Sequence, residues 1–370
     1  MRVAAPLLFI AALVGLSHGA LAILWSASNS GVCPYGSVQP DGCTTAPYTG
    51  SFQNASYMTG YTFRPAWNVA GVDYAVGVPQ GASLTSWSTA SVPTGWSRGL
   101  GSAGNYGNWT CTAPGGNNQT VDLIDFSATA ASGARGAVLF LNTCTGITIT
   151  RSKFGGVDVD ADVNPPIVAS GANGLTISWI TMSMGCSGSG LYGPLIGAGG
   201  ALSVTYSYFV GYPDEVIGSN GGATQVTAKY NYIGAGACTS GSHLNYLQTG
   251  SALSSGTFNV SFNTSYQDTE VASGEGWQFY SNSGGSVTSV TADRNTMVAK
   301  QTGASVAMSY LMHPTADTAF GTTLTSGTIT NNYVDISGAF GFLYTGNSSC
   351  TNTTSSGNIN MVSGAAINPC

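Results

Sequence analysis

The sequence predicts an all-β fold, a parallel β-helix in which the chain coils repeatedly around one axis. Three observations carry this. Six segments align without gaps, "ITRSKF" (149–154), "ISWITM" (177–182), "VTYSYF" (204–209), "AKYNYI" (228–233), "ADRNTM" (292–297) and "ITNNYV" (329–334), and "VSFNTS" (260–265) fits as a seventh. The position two before the end reads Ser152, Ile180, Ser207, Asn231, Asn263, Asn295 and Asn332, at steps of 28, 27, 24, 32, 32 and 37 residues. Repeats of that length mark one coil of a solenoid. A second column of short apolar strands, each followed by a Gly/Ser/Asn corner, precedes the repeats, as in "PLIGAGG", "YLQTGSA" and "QFYSNSGG". Every coil therefore contains at least two strands joined by turns.

In order along the chain, residues 1–22 read as a signal peptide: Arg2, an apolar run from Val3 to Leu16, then small residues ending Ala20, Leu21 and Ala22. The run is too short to cross a membrane and ends in an Ala-x-Ala pattern. Residues 23–119 lack the repeat and hold three cysteines, and they are assigned as an irregular N-terminal cap over the first coil or a lid beside a groove. Residues 120–370 form the β-helix, in which equivalent side chains stack about 4.8 Å apart. Branched residues are expected inside, with the corner asparagines bonded to one another as a ladder. Alternation places Trp179, Tyr206, Tyr230 and Phe262 in an internal aromatic stack. It leaves Tyr208, Tyr232 and Tyr333 facing elsewhere, where rings can stack on sugars.

All eight cysteines lie beyond residue 22, so an oxidising, exported location and disulfides are expected, with Cys33–Cys43 and Cys350–Cys370 the short-loop pairings. No later segment has an apolar run long enough for a membrane span. Charged residues are 6% of the chain, and without Arg2 eight Lys and Arg stand against fifteen Asp and Glu, a formal charge of −7. That balance argues against nucleic acid or an anionic membrane as partner. Seven Asn-x-Ser/Thr sequons begin at Asn54, Asn108, Asn118, Asn259, Asn263, Asn347 and Asn352, but an Asn/Ser/Thr-rich chain produces many by chance.

The repeat and its asparagine corners resemble those of the pectin-lyase-like superfamily of right-handed parallel β-helix proteins, over roughly residues 120–365. The resemblance implies a right-handed coil. It also implies a secreted protein acting on a polysaccharide or cell-surface glycan, since that superfamily is rich in polysaccharide lyases and glycoside hydrolases. The superfamily's lyase and hydrolase strings are absent as written. The alternative is a non-catalytic extracellular protein that binds glycan or builds a surface.

In such a scaffold reactive groups come from loops at one corner of successive coils. Asp158, Asp160, Asp162, Asp214, Glu215, Asp268, Glu270 and Glu275 follow the asparagine corners, and His243 joins them. Carboxylates also collect in loops simply because loops are wet. In "DVDADVN", Asp158, Asp160 and Asp162 alternate and offer oxygen ligands to Ca²⁺, although the glycine and distal glutamate of an EF-hand are missing. Aligning "DEVI" with "NYLQ" puts Asp214 near Asn245, with His243 two residues earlier, so His243, Asp214 and Glu215 are the catalytic candidates. A histidine capping a coil by backbone hydrogen bonds is the structural alternative for His243. Lys229 or Arg294 is a less favoured base, and Asp268, Glu270 or Glu275 would complete the carboxylate pair of a hydrolase. Asn245, Gln248, Gln278, Tyr280 and His313 are the candidate substrate-binding residues, with His313 placed about 10 Å from the His243 level. An ice-binding solenoid would require a regular, flat Thr-x-Thr face, for which "TITITR" and scattered threonines are too little.

Overall fold

A computed structural model describes residues 58–370 except 66, 102–105, 134–135, 156–165, 172, 184–194, 213, 220–221, 235, 237–242, 250–252, 268–272, 282–283, 301–307, 314–321, 345–349 and 369. Among the described residues there are three sheets and no α-helix. Sheet I has ten strands, from Thr85–Ser86 to Ile359–Asn360; sheet II has nine, from Thr120–Asp122 to Thr353–Ser356. Sheet III also has ten, from Trp96–Leu100 to Ala339–Leu343. One coil runs from sheet III to II to I, as in Ile196–Ala198, Ala201–Thr205 and Tyr208–Val210. Each strand pairs in parallel with its equivalent one coil away, except the antiparallel Trp96–Leu100 and Gly107–Cys111. This is a parallel β-solenoid.

The interior fills because each strand turns every second residue inward. From sheet II, Ile149, Ile177, Val204, Ala228, Val260 and Ile329 are buried and belong to one continuous core. The corner between sheets II and I explains the sequence repeat. Asn263 donates its backbone N–H (3.0 Å) and its Nδ2 (3.1 Å) to Asn295 Oδ1, and Asn295 repeats the pattern onto Asn332 Oδ1 at 2.9 Å each. Each amide also donates to a main-chain carbonyl of the preceding coil, as Asn263 does to Ala228 at 2.8 Å. The ladder begins at Ser207, which donates its N–H to Asn231. It continues past the repeat to Asn358 and ends on Asn368, ten residues on in the same coil.

The residue before each ladder position is left-handed: Arg151, Trp179, Tyr206, Tyr230, Phe262 and Arg294 have φ between 43° and 61°. Such a conformation costs a non-glycine residue roughly 1–2 kcal/mol, and the ladder bonds hold it in place. This one-residue turn breaks the strand alternation, so the expected internal aromatic stack is corrected. Trp179, Tyr206, Tyr230 and Phe262 stack outside the corner, with centroids 4.7, 4.9 and 5.2 Å apart. The arginines find their places in the same column. Arg151 Nε donates to Asp122 at 2.8 Å, and Arg294 lies 5.6 Å from the Phe262 ring while pairing with Asp293.

Residues 58–82 do not close the first coil; they run lengthwise along the outside of sheet I. Met58 clusters with Met361, Tyr61 donates to Asp335, and Trp67 meets Tyr333 edge-on at 5.0 Å. Gly77 N–H then reaches Tyr206 O at 2.8 Å, and Val78 N–H reaches Thr181 Oγ1 at 2.9 Å. The chain thus travels from the last coils back to the first before it begins to wind. A Cβ on Gly71 (φ 68°) would lie 2.6 Å from the Tyr232 ring, so glycine lets the strap sit flat there. Burial and Asp335 push the Tyr61 hydroxyl up, so it stays a proton donor in this contact. Of the expected disulfides, Cys350–Cys370 forms; Cys111–Cys144 joins the first coils, and Cys33, Cys43, Cys186 and Cys238 lie outside the described residues.

Candidate functional site

Sheet III carries the polar side chains that the core would ordinarily exclude. Glu215 pairs in register with Asn245, and Asn245 with Gly276; Gln278 pairs with His313. Four successive coils thereby bring Asp214, Glu215, Asn245, Gln278 and His313 onto one sheet, with exposures of 5, 8, 2, 3 and 2%. Burying such groups is costly unless they are bonded.

Asn245 is the hub. Its Nδ2 donates to Gln248 Oε1 at 2.7 Å and to Gln278 Oε1 at 2.9 Å, its Oδ1 accepts Glu275 N–H at 2.8 Å, and its own N–H reaches Asp214 O at 3.1 Å. The strand Ser273–Ser281 slips register against His243–Thr249 at three points. Gly276, at φ 56°, sits in that bulge, and a Cβ there would lie 2.1 Å from Leu311 O, which is backbone. The glycine therefore permits the close coil contact beside Glu275. Across it, Glu275 Oε2 lies 2.7 Å from His313 Nδ1, and the His313 ring packs 4.4 Å from Tyr344. Gly276→Ala is expected to cost several kcal/mol through the clash and the positive φ. Denaturant titration, with the histidine's NMR signals reporting the loss of the Glu275 contact, checks this.

Glu215 has a distinct electrostatic character. Burial first, then the Asp214 charge and a hydrogen bond to the Asp214 side chain, push its carboxyl from 4.5 up to about 9. At neutral pH it is an acid holding its proton. The site thus holds a proton donor at one level and a carboxylate-oriented imidazole three strand spacings, roughly 14 Å, further along the axis.

The predicted residues are only partly united. Asp214, Glu215, Asn245, Gln248 and Gln278 share neighbouring coils, and His313 follows one coil beyond, in register with Gln278. His243 contributes a backbone paired with Ser273, and Tyr280 lies in the strand Ser273–Ser281, but the side chains of both are outside the described residues. His243 and His313 do stand two coils apart, but they occupy opposite ends of their strands, a further five residues or roughly 16 Å apart along the strand direction. Asp158, Asp160 and Asp162, the proposed Ca²⁺ ligands, lie outside the described residues, as do Asp268 and Glu270. Among the described residues no group of three His, Cys, Asp or Glu is arranged to hold a metal, and no helix is long and apolar enough to cross a membrane.

The contacts of Glu275 and Tyr344 with His313 were not legible beforehand. The bulge at Gly276 creates the first; Tyr344 lies in a segment of the second repeat column, "FLYTGNSS", but its contact with His313 on the neighbouring coil has no sequence signal. The tyrosines expected to face sugars are engaged elsewhere: Tyr232 is buried under the strap beside Gly71, Tyr208 stacks on it at 5.3 Å, and Tyr333 meets Trp67. No protein-family model matches the chain, and neither a curated protein nor a solved structure matches it.

Proposed function

We propose that this chain is an exported polysaccharide-active protein that cleaves a glycan by acid/base chemistry on sheet III. The two described disulfides support an exported setting, and the parallel β-solenoid with its asparagine ladder supports the likeness to pectin-lyase-like proteins. The single observation that carries the reading is the pairing of opposite proton roles on one sheet. Glu215 keeps a proton to about pH 9, and His313 is oriented through Nδ1 by Glu275. Groups whose surroundings separate acid from base in this way are the usual division of labour at a hydrolytic or eliminative site.

In this scheme Glu215 protonates the departing glycosidic oxygen. Glu275, two strand spacings or about 10 Å along the axis from Glu215, takes the proton from the attacking water in hydrolysis, and His313, a further coil away, positions Glu275 through its Nδ1 contact. Asn245, Gln248 and Gln278 orient the chain by hydrogen bonds. The near-complete burial of Asn245, Gln278 and His313 favours a second reading, in which the network only stiffens a glycan-binding or structural solenoid.

The test is Glu215→Gln and His313→Gln against a panel of neutral and uronate glycans, scoring reducing ends and ultraviolet-absorbing unsaturated ends. Wild type is expected to release one product type, and each variant to fall by about 10²–10⁴-fold with its thermal unfolding still cooperative. A wild-type chain that cuts nothing on the panel, with variants that alter stability alone, establishes the second reading instead.

A further inference from the structure

The threonines that look scattered in the sequence fall into register on sheet II. One column holds threonine at every level from Thr120 through Thr148, Thr176, Thr227, Thr291 and Thr328 to Thr354, broken only by Ser203 and Asn259. Two residues along each strand, a second column runs Thr150, Ser178, Thr205, Ser261, Thr330 and Ser356, with Asp122, Lys229 and Asp293 at the remaining levels. The inward residue between them is apolar at most levels, which turns both columns outward; Thr176 and Thr354 are exposed and the other threonines of the first column from Thr148 to Thr328 are partly so.

Nine parallel strands without a register break through these two columns give a hydroxyl array. It repeats at about 4.8 Å along the axis and about 6.6 Å along the strand, over some 38 Å. Each threonine presents a hydroxyl that both donates and accepts, beside a methyl. Ser178 and Thr150 bond each other at 3.1 Å, but among the described residues no side-chain bond engages Thr148, Thr176, Thr227, Thr291 or Thr328, which are all exposed or half-exposed.

We propose that this face binds the surface of ice. Its polarity matches a neutral lattice of donors and acceptors, and its two repeats are comparable with the shorter and longer oxygen repeats on a prism face of ice. Charge complementarity disfavours an ionic polymer: Asp122 is held by Arg151 and Asp293 by Arg294, which leaves Lys229 as the remaining charge in the two columns. The columns hold no aromatic ring, the group on which sugars stack. A second copy of the chain fits poorly as well. Counting a third column (Ala201, Gln225, Thr257, Ser289), the face covers roughly 500 Å², below the ~800 Å² per partner of a stable interface, and it is mostly hydroxyl. The proposal involves sheet II alone and stands apart from the chemistry on sheet III.

The experiment measures thermal hysteresis, and uptake of the full chain into a slowly growing ice front, for wild type, Thr176→Tyr, Thr291→Tyr and Phe340→Ser. Phe340 is a 71% exposed residue on sheet III, away from the face. Wild type and Phe340→Ser are expected to produce hysteresis and enter the ice. Both tyrosine variants should lose most of this with unchanged circular dichroism and unfolding. Wild type excluded from ice, natively folded tyrosine variants that adsorb fully, or an equal loss in Phe340→Ser would each overturn the proposal.

Discussion

Asn295→Ala is expected to destabilise the protein by roughly 3–5 kcal/mol, far more than the few tenths typical of a surface asparagine. Asn295 is fully buried; its Oδ1 is the acceptor for Asn263 N–H, and its Nδ2 bonds Val260 O at 3.0 Å and Asn332 Oδ1 at 2.9 Å. Alanine leaves the Asn263 N–H and the Val260 carbonyl without these partners in a dry interior, and it frees the left-handed turn at Arg294 (φ 53°). Each orphaned group costs about 1–3 kcal/mol. Because a solenoid is held together coil by coil, hydrogen exchange should quicken most in the coils carrying Asn263 and Asn332 and least near the ends. Denaturant titration of the variant with exchange mass spectrometry checks both. A loss below about 1 kcal/mol would mean that the ladder is not what fixes the corner.

Glu215→Gln is expected to raise stability at alkaline pH and flatten its pH dependence. In the folded chain the Glu215 carboxyl keeps its proton to about pH 9, whereas unfolding returns it to the ordinary 4.5. Between those values the folded state holds the extra proton, so stability is greatest below about 4.5 and is lost as pH rises toward 9. The slope reaches at most about 1.4 kcal/mol per pH unit for one proton. Glutamine keeps the shape and the hydrogen-bonding capacity without titrating. Urea titrations of wild type and variant at several pH values between 5 and 9 should therefore diverge steadily. Parallel curves would show that Glu215 ionises normally in the folded chain.

The solenoid was legible because its governing constraint is local: each corner needs an amide that can bond the next coil, and Asn231, Asn263, Asn295 and Asn332 recur for that reason. Alternation failed at Tyr206 and Tyr230 because a single left-handed residue reverses which way a side chain points, and no composition signal marks a non-glycine in that conformation. The strap was hidden because residues 58–82 contact coils more than a hundred residues away through aromatic and glycine contacts that have no period. At the site, one-coil alignment brought Asp214 near Asn245 but was one residue out of register, since Asn245 pairs with Glu215 and its N–H reaches the Asp214 carbonyl. The Glu275–His313 pair depends on the bulge at Gly276, which shifts register where a gapless alignment assumes none. The threonine face shows the same limit: Thr227 and Thr291 look unrelated until the loops between them are wound out of the way.

The protonation of Glu215 is the point on which the acid/base account turns, and an infrared difference titration reads it directly. Subtracting the Glu215→Gln spectrum from that of wild type isolates the carbonyl stretch of one protonated carboxyl. The band should persist through neutral pH and disappear near pH 9. Its disappearance near pH 4 to 5, the ordinary glutamate range, would contradict the account and leave sheet III without its proton donor.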